Sequence, residues 1–358
     1  MLYLWVYPLH EVYTVLNVFR YISFRTLLAG LTALVISLLL GPILIRRLTD
    51  LQIRQAIRDD GPAAHASKAG TPTMGGVLIL FSLVLATILL ADLNQWYVWI
   101  ALLVTVAHGA IGFADDMTKI RNGSSRGLSG RARLAGELTI GAVAAAAIFV
   151  WSDHGGQLTM PFFKNVHPDL GWWYVPFGAL VIAGSANAVN LTDGLDGLAI
   201  GPVMIAGATY VVFAYVAGNA RFAEYLQIPY VAGAGELAIF CGALAAAGLG
   251  FLWFNAYPAQ MFMGDVGSLS LGAAIGVVAL ITRQELVLAL VGGVFVAEAL
   301  SVIGQVLSFR LRRKRIFRMA PLHHHYELGG LPEPQIIVRF WIVSVICALV
   351  ALSTLKLR

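Results

Sequence analysis

Four polar residues, Asn187, Asn190, Asp193 and Asp196, follow one another at intervals of three in the stretch NAVNLTDGLDG, residues 187–197. At that spacing their side chains would stand near one face of a helix. The stretch lies between two apolar runs, 172–186 and 198–217, each approaching the length of a membrane helix. A carboxylate at a bilayer boundary is costly unless it pairs or binds, so acids and amides in this setting mark a candidate site. Gly and Asp are also ordinary turn residues, and a polar interhelical turn is the competing reading of the stretch alone.

Other polar clusters border apolar runs in the same way. GFADDMTKIRNG, residues 112–123, sets Asp115 four residues and Asp116 three residues before Lys119. An ion pair on one helix face is therefore available. Adjacent carboxylates beside a cation suit metal binding or proton abstraction, and a solvated acidic helix end is the plainer alternative. In MFMGDVGS, residues 261–268, Asp265 stands between Gly264 and Gly267 at the start of an apolar run. That placement fits a hard-cation ligand near a phosphate, or else a helix N-cap. Phe262 beside it is suited to stacking on a base.

TPTMGG, residues 71–76, opens another apolar run, with Lys68 just before it. Small residues and free N–H groups at a helix start suit an anion such as phosphate, with Thr73 and Lys68 as neighbours. The spacing is not that of Walker A, so nucleotide hydrolysis of the P-loop kind is unsupported. MAPLHHHYE, residues 319–327, follows a basic run from Arg310 to Arg318. Such a run reads as a cationic membrane anchor or, in part, as a phosphate site. Consecutive histidines cannot all face one way, which argues against a three-His metal site and favours two of His323, His324 and His325 facing a polyanionic substrate. Glu298 and His108 lie within apolar runs, where packing or a helix-to-helix hydrogen bond is the expected role. A site rich in carboxylates and free of thiolates favours Mg²⁺ over transition metals. Carboxylates, Mg²⁺ and cations together suit phosphoryl transfer on a diphosphate, with Asp115 or Asp116 available as the base. Apolar walls beside them would receive a lipid.

These residues must be positioned by membrane helices. Hydrophobic residues make up 59% of the 358 and charged residues 12%, about half the charge of an average soluble domain. We place spans near 22–45, 74–93, 95–114, 133–151, 172–191, 197–217, 236–254, 267–282, 286–308 and 337–355. A single all-α, polytopic transmembrane domain over residues 1–358 is expected, with the site formed by loops on one side. Loops 46–73, 115–132, 192–196, 255–266 and 309–336 carry most of the Lys and Arg. The opposite loops hold Lys164, Arg221 and Arg283, with Arg20, Arg25, Lys356 and Arg358 near the ends. Positive-inside asymmetry puts the basic set and the site in the cytoplasm and both termini outside. Residues 160–173, ending in Trp172 and Trp173, read as an interfacial hairpin. No cleaved signal peptide is expected. Cys241 and Cys347 form no metal or redox motif.

NAVNLTDGLDGLA, GFADDMTK, TPTMGG, FMGDVGSL and MAPLHHHYE closely resemble motifs of the phospho-N-acetylmuramoyl-pentapeptide-transferases. These bacterial enzymes fall in the polyprenyl-phosphate N-acetylhexosamine-1-phosphate transferase superfamily. The resemblance implies ten transmembrane helices, the ninth broken and bent, a cytoplasmic active site in the inner membrane, and a homodimer. It implies transfer from UDP-N-acetylmuramoyl-pentapeptide to undecaprenyl phosphate, giving lipid I and UMP with Mg²⁺ as cofactor and no nucleic-acid partner. Carried over residue by residue, it makes Asp115, Asp116 and Asp265 catalytic, with Asp265 the metal ligand. Lys68, Thr73, Asn190, Asp193, Asp196, Phe262, His323 and His324 become substrate contacts. A sister transferase moving N-acetylglucosamine-1-phosphate is the near rival, and PLHHHYE favours the muramoyl branch. An ion-coupled transporter would need midplane sites and two related halves, and the sequence has neither.

Overall fold

The computed structural model describes residues 2–53, 70–124, 127–163 and 166–356. They form helices α1 (Ile22–Asp50), α2 (Gly76–Leu90), α3 (Trp96–Asn122), α4 (Gly130–Trp151), α5 (Tyr174–Thr192), α6 (Ile200–Ala217), α7 (Leu237–Asn255) and α8 (Gly264–Ile281). The last third adds α9 (Leu288–Val291), α10 (Gly293–Arg312), α11 (Leu322–Glu327) and α12 (Glu333–Ser353). Among the described residues nine helices are long and apolar enough to cross a membrane. The tenth, α2, has 15 residues. It is about 22 Å long, shorter than the roughly 30 Å hydrocarbon layer. Helices prevail because hydrocarbon offers the backbone no partners but its own.

Two boundaries differ from expectation, and each difference bears on the site. The third run continues past 114 to Asn122, where Gly123 takes a left-handed conformation with φ 55° and stops it. Asp115, Asp116 and Lys119 therefore stand on helix rather than in a loop. The eighth helix starts at Gly264, so Asp265 lies in its first turn. The ninth run is broken at Gly292 into α9 and α10. The hairpin before α5 closes through an isolated antiparallel bridge, Gln157 to Asp169, with Trp172 and Trp173 exposed beyond it. Residues 164–165 of it lie outside the described residues.

Helix α8 is the hub. Its sequence, GDVGSLSLGAAIGVVALI, is apolar on every side, and every residue from Val266 to Ile281 is buried. A helix without a polar face has to be surrounded. It packs chiefly against α3 and α5, and small residues let these helices approach closely. At Gly112 of α3 a Cβ would stand 2.2 Å from the Asp265 carbonyl oxygen. Only glycine allows the two helices to meet there. At the other end of the bundle, Arg25 of α1 pairs with Glu236 through both guanidinium arms, at 2.6 and 2.7 Å. Glu236 also accepts from the Asp92 N–H, which ties α1, the end of α2 and the start of α7 together.

Candidate active site

The close contact of α3 with α8 brings Asp115, Asp116 and Asp265 together, with one oxygen from each within 4.8 Å of the others. The two α3 carboxylates are buried. Asp115 Oδ1 accepts from the Leu128 N–H at 2.8 Å, and its Oδ2 lies 2.7 Å from Lys119 Nζ. Asp116 Oδ2 accepts from the Val266 N–H at 3.2 Å, and its Oδ1 lies 3.6 Å from the same ammonium. Asp265 Oδ2 is 2.8 Å from Lys119 Nζ and 3.3 Å from Arg133 Nη1. Its other oxygen accepts from Asn190 Nδ2 at 2.8 Å. Asp265 thus caps nothing through its side chain, which closes the N-cap alternative. Gly264, at φ 72°, makes the turn into α8, and a Cβ there would stand 2.6 Å from Asp116 Oδ2.

The NAVNLTDGLDG stretch does not share one helix face as its spacing predicts. Helix α5 ends at Thr192, so Asn187 and Asn190 stand on it while Asp193 and Asp196 lie in the turn beyond. The turn swings Asp196 away from the other acids: its Oδ2 accepts from the Ala259 N–H and its own N–H donates to Glu333, both at 3.0 Å. Asp193 stays near them. Burial pushes the Asp193 carboxyl up to about 8, reinforced by the negative charges of Asp265, Asp116 and Asp196. A raised value favours the neutral carboxyl, the form that can donate a hydrogen bond.

The start of α2 is not the open anion site expected from TPTMGG. Gly75 N–H donates to the Phe262 carbonyl and Gly76 N–H to the Met263 carbonyl, both at 2.8 Å. The Phe262 N–H in turn bonds the Pro72 carbonyl at 2.8 Å. Two of the N–H groups that were to cradle phosphate are used to hold the Phe262 loop against α2. Thr73 is buried, with its hydroxyl 3.1 Å from where a Gly264 Cβ would stand, and the Phe262 side chain is half-buried. Lys68 lies outside the described residues.

The three histidines diverge, each ring with its own partner. His323 Nδ1 lies 3.2 Å from Glu298 Oε1, and Glu298 also accepts the backbone N–H groups of Leu322 and His323. His324 faces Glu327 at 3.0 Å, and His325 Nδ1 accepts the Arg318 N–H at 3.1 Å. His323 is fully buried, with Nε2 against Gly194 of the α5–α6 turn. Glu298 therefore makes an interhelical hydrogen bond of the kind expected, joining α10 to α11. His108 bonds the Val104 carbonyl of its own helix at 2.9 Å.

Sequence reasoning passed over Arg133, Glu137 and Ser268. Arg133 sits at the acid cluster, Glu137 pairs with it, and the Ser268 hydroxyl accepts from Asn190 at 2.8 Å. The available signal was two charges four residues apart at the head of an apolar run, which is rarely incidental in a membrane helix.

A family model described as Glycosyl transferase family 4 matches residues 98–283, which include Asp115, Asp116, Asp193, Asp196, Asp265 and Phe262. The model for phospho-N-acetylmuramoyl-pentapeptide-transferase signature 1 matches residues 68–80, covering Lys68 and Thr73. The phospho-N-acetylmuramoyl-pentapeptide-transferase of Syntrophus aciditrophicus (strain SB) is 59% identical over 359 residues, covering 100% of both chains. Its counterparts in Pelobacter propionicus and Citrifermentans bemidjiense are each 57% identical over 358 residues, again covering 100% of both chains. The chain belongs to the phospho-N-acetylmuramoyl-pentapeptide-transferase family. It is thus a transferase, built as a multi-pass membrane protein. Phospho-N-acetylmuramoyl-pentapeptide-transferase membership also favours the muramoyl branch over its sister transferase.

Proposed function

We propose that this chain transfers phospho-N-acetylmuramoyl-pentapeptide from UDP-N-acetylmuramoyl-pentapeptide to undecaprenyl phosphate, giving lipid I and UMP. The observation that carries this reading is the meeting of three carboxylates from two helices around the Lys119 ammonium, with Arg133 alongside. Phosphoryl transfer asks for little from a protein except alignment and compensation of charge, and a tight array of acids and cations supplies both.

The donor set fits Mg²⁺. It consists of oxygens alone, with no thiolate or imidazole in the group, and Mg²⁺ takes one or two carboxylates together with substrate phosphates. Asp265 would hold it, with Asp115 and Asp116 beside it. The ion, when bound, supplies Lewis-acid relief of the charge on the diphosphate. Asp115 is held in place by the Leu128 N–H and Lys119, and we assign it the remaining proton of the acceptor phosphate. Lys68, Thr73, Asn190, Asp193, Asp196, Phe262, His323 and His324 are assigned to the donor. The site faces the cytoplasm of a bacterial inner membrane. Arg46 and Arg47 near the end of α1, with Arg310 and Arg312 at the end of α10, support that orientation. Homodimer assembly rests on the family resemblance alone.

The test is purified protein with undecaprenyl phosphate and Mg²⁺, offered each UDP-sugar separately while UMP release is measured. Release with the muramoyl-pentapeptide donor alone is expected; release with UDP-N-acetylglucosamine alone overturns the reading. In the same assay Asp265→Asn keeps the side-chain shape and loses the charge, so turnover should fall by about 10² or more. A normal rate with unchanged Mg²⁺ dependence removes Asp265 from the metal site.

A further inference from the structure

Glu137 lies on α4, one turn from Arg133, and its side chain is fully buried. A buried carboxylate is costly unless it is paired and hydrogen-bonded. Its partners here form a closed ring. Arg133 Nε lies 3.5 Å from Glu137 Oε1. Arg133 Nη2 donates to Asn187 Oδ1 at 3.2 Å. Asn187 Nδ2 closes the ring by donating to Glu137 Oε2, and it also donates to the Ala183 carbonyl at 2.8 Å. Two edges of the guanidinium are thereby occupied by α4 and α5. The third points Nη1 at Asp265, 3.3 Å away.

A long arginine side chain beside three carboxylates would otherwise fold onto them. The charge would then be placed wherever it binds the acids most tightly, and the acids would be covered. A second anchor behind the guanidinium restrains it to the single edge that meets Asp265. We propose that Glu137 is a positioning residue: through Arg133 and Asn187 it holds one guanidinium edge at the mouth of the acid cluster, aimed at the diphosphate of the donor. The inference rests on the phosphoryl-transfer reading above and adds the device that aims its second cation. Glu137 touches neither substrate nor reacting atoms. Its influence runs through Arg133, and that route gives a specific signature.

The experiment is a double-mutant cycle on the full-length protein, with donor and acceptor KM measured separately from kcat. Glu137→Ala should raise the donor KM about tenfold, in line with couplings within one polar network. The acceptor KM should stay as it was. Glu137→Gln, which keeps a hydrogen-bond acceptor for the ring, should recover part of the loss. In an Arg133→Ala background, Glu137→Ala should change nothing further. An equal loss with and without Arg133 would mean that Glu137 serves only the fold. A loss on the acceptor side alone, or donor kinetics like the parent's, also overturns the proposal. If Glu137→Ala fails to fold, the same cycle is run with Glu137→Gln, and additivity there is equally decisive. Failure of the transfer reading itself would appear differently, as no UMP release by the parent protein.

Discussion

The ammonium of Lys119 stands 2.8 Å from Asp265 Oδ2 and 2.7 Å from Asp115 Oδ2, so a single cation joins α3 to α8. An ion held by Asp265 would share that carboxylate with the ammonium, so the two would compete for it while both offset the charge of the donor. Lys119→Met keeps most of the length of the side chain and removes the charge. Turnover should fall by about 10², the scale for losing one electrostatic contact at a reacting centre. The Mg²⁺ concentration for half-maximal rate should fall as well. A rise in that concentration would show that Lys119 and the ion do not compete.

Gly112 sets how close α3 comes to α8, because a Cβ would meet the Asp265 carbonyl oxygen at 2.2 Å. Backbone cannot yield as a flexible side chain does. Gly112→Ala should cost about 1–3 kcal/mol, the range for forcing extra volume into a packed core. It should also separate Asp115 and Asp116 from Asp265, so activity is lost even at temperatures where the variant is folded. Thermal unfolding in detergent and UMP release, measured on the same preparation, check this. Full activity with a lowered melting temperature would refute the link between spacing and chemistry.

Glu285 lies buried in the turn between α8 and α9, and burial pushes its carboxyl up to about 7, with Arg283 pulling the other way. The folded protein therefore holds this proton more tightly than the unfolded chain, where the ordinary value is 4.5. Its contribution to stability is whole below that ordinary value and is lost as pH rises through about 7. Each tenfold difference in proton affinity is worth about 1.4 kcal/mol. The parent protein should lose melting temperature between about pH 5 and about pH 8. Glu285→Gln should lose less, so the gap between the two widens with pH. Parallel curves for parent and variant would exclude Glu285 as the source.

Helix α3 runs from just after Asn94 to just before Ser124, which puts these two residues at opposite ends of one spanning helix. With Cys241 and Cys347 replaced, a single cysteine at Asn94 should react with an impermeant maleimide from outside intact cells. One at Ser124 should react only after the membrane is opened. The reverse pattern would put the acid cluster on the outer side.

The helical class and approximate places of the spans were legible in the chain, because hydrocarbon compels a spanning segment to bond its own backbone and composition marks such segments. The chemistry of the motifs was legible for a similar reason, since acids, lysine and histidines bordering apolar runs have few idle roles. The Lys119 pairing with Asp115 and Asp116 followed from spacing on one helix, and the structure has it. Spacing failed where a helix ended. NAVNLTDGLDG kept its period of three, but α5 stops at Thr192, and the period means nothing in the turn that carries Asp196 off to Ala259.

Which helices meet was decided by tertiary structure alone. Asp116 bonds the backbone of Val266, 150 residues further on, and nothing in either motif specifies the other. The meeting depends on small residues that let α3 and α8 touch at Gly112. The same packing turned the N–H groups of TPTMGG toward the Phe262 loop and brought Arg133 and Glu137 from a run that reads as plain membrane helix. Periodicity reports what shares a face within one segment, whereas a site assembled from several segments depends on backbone approach distances, which only the packed bundle defines.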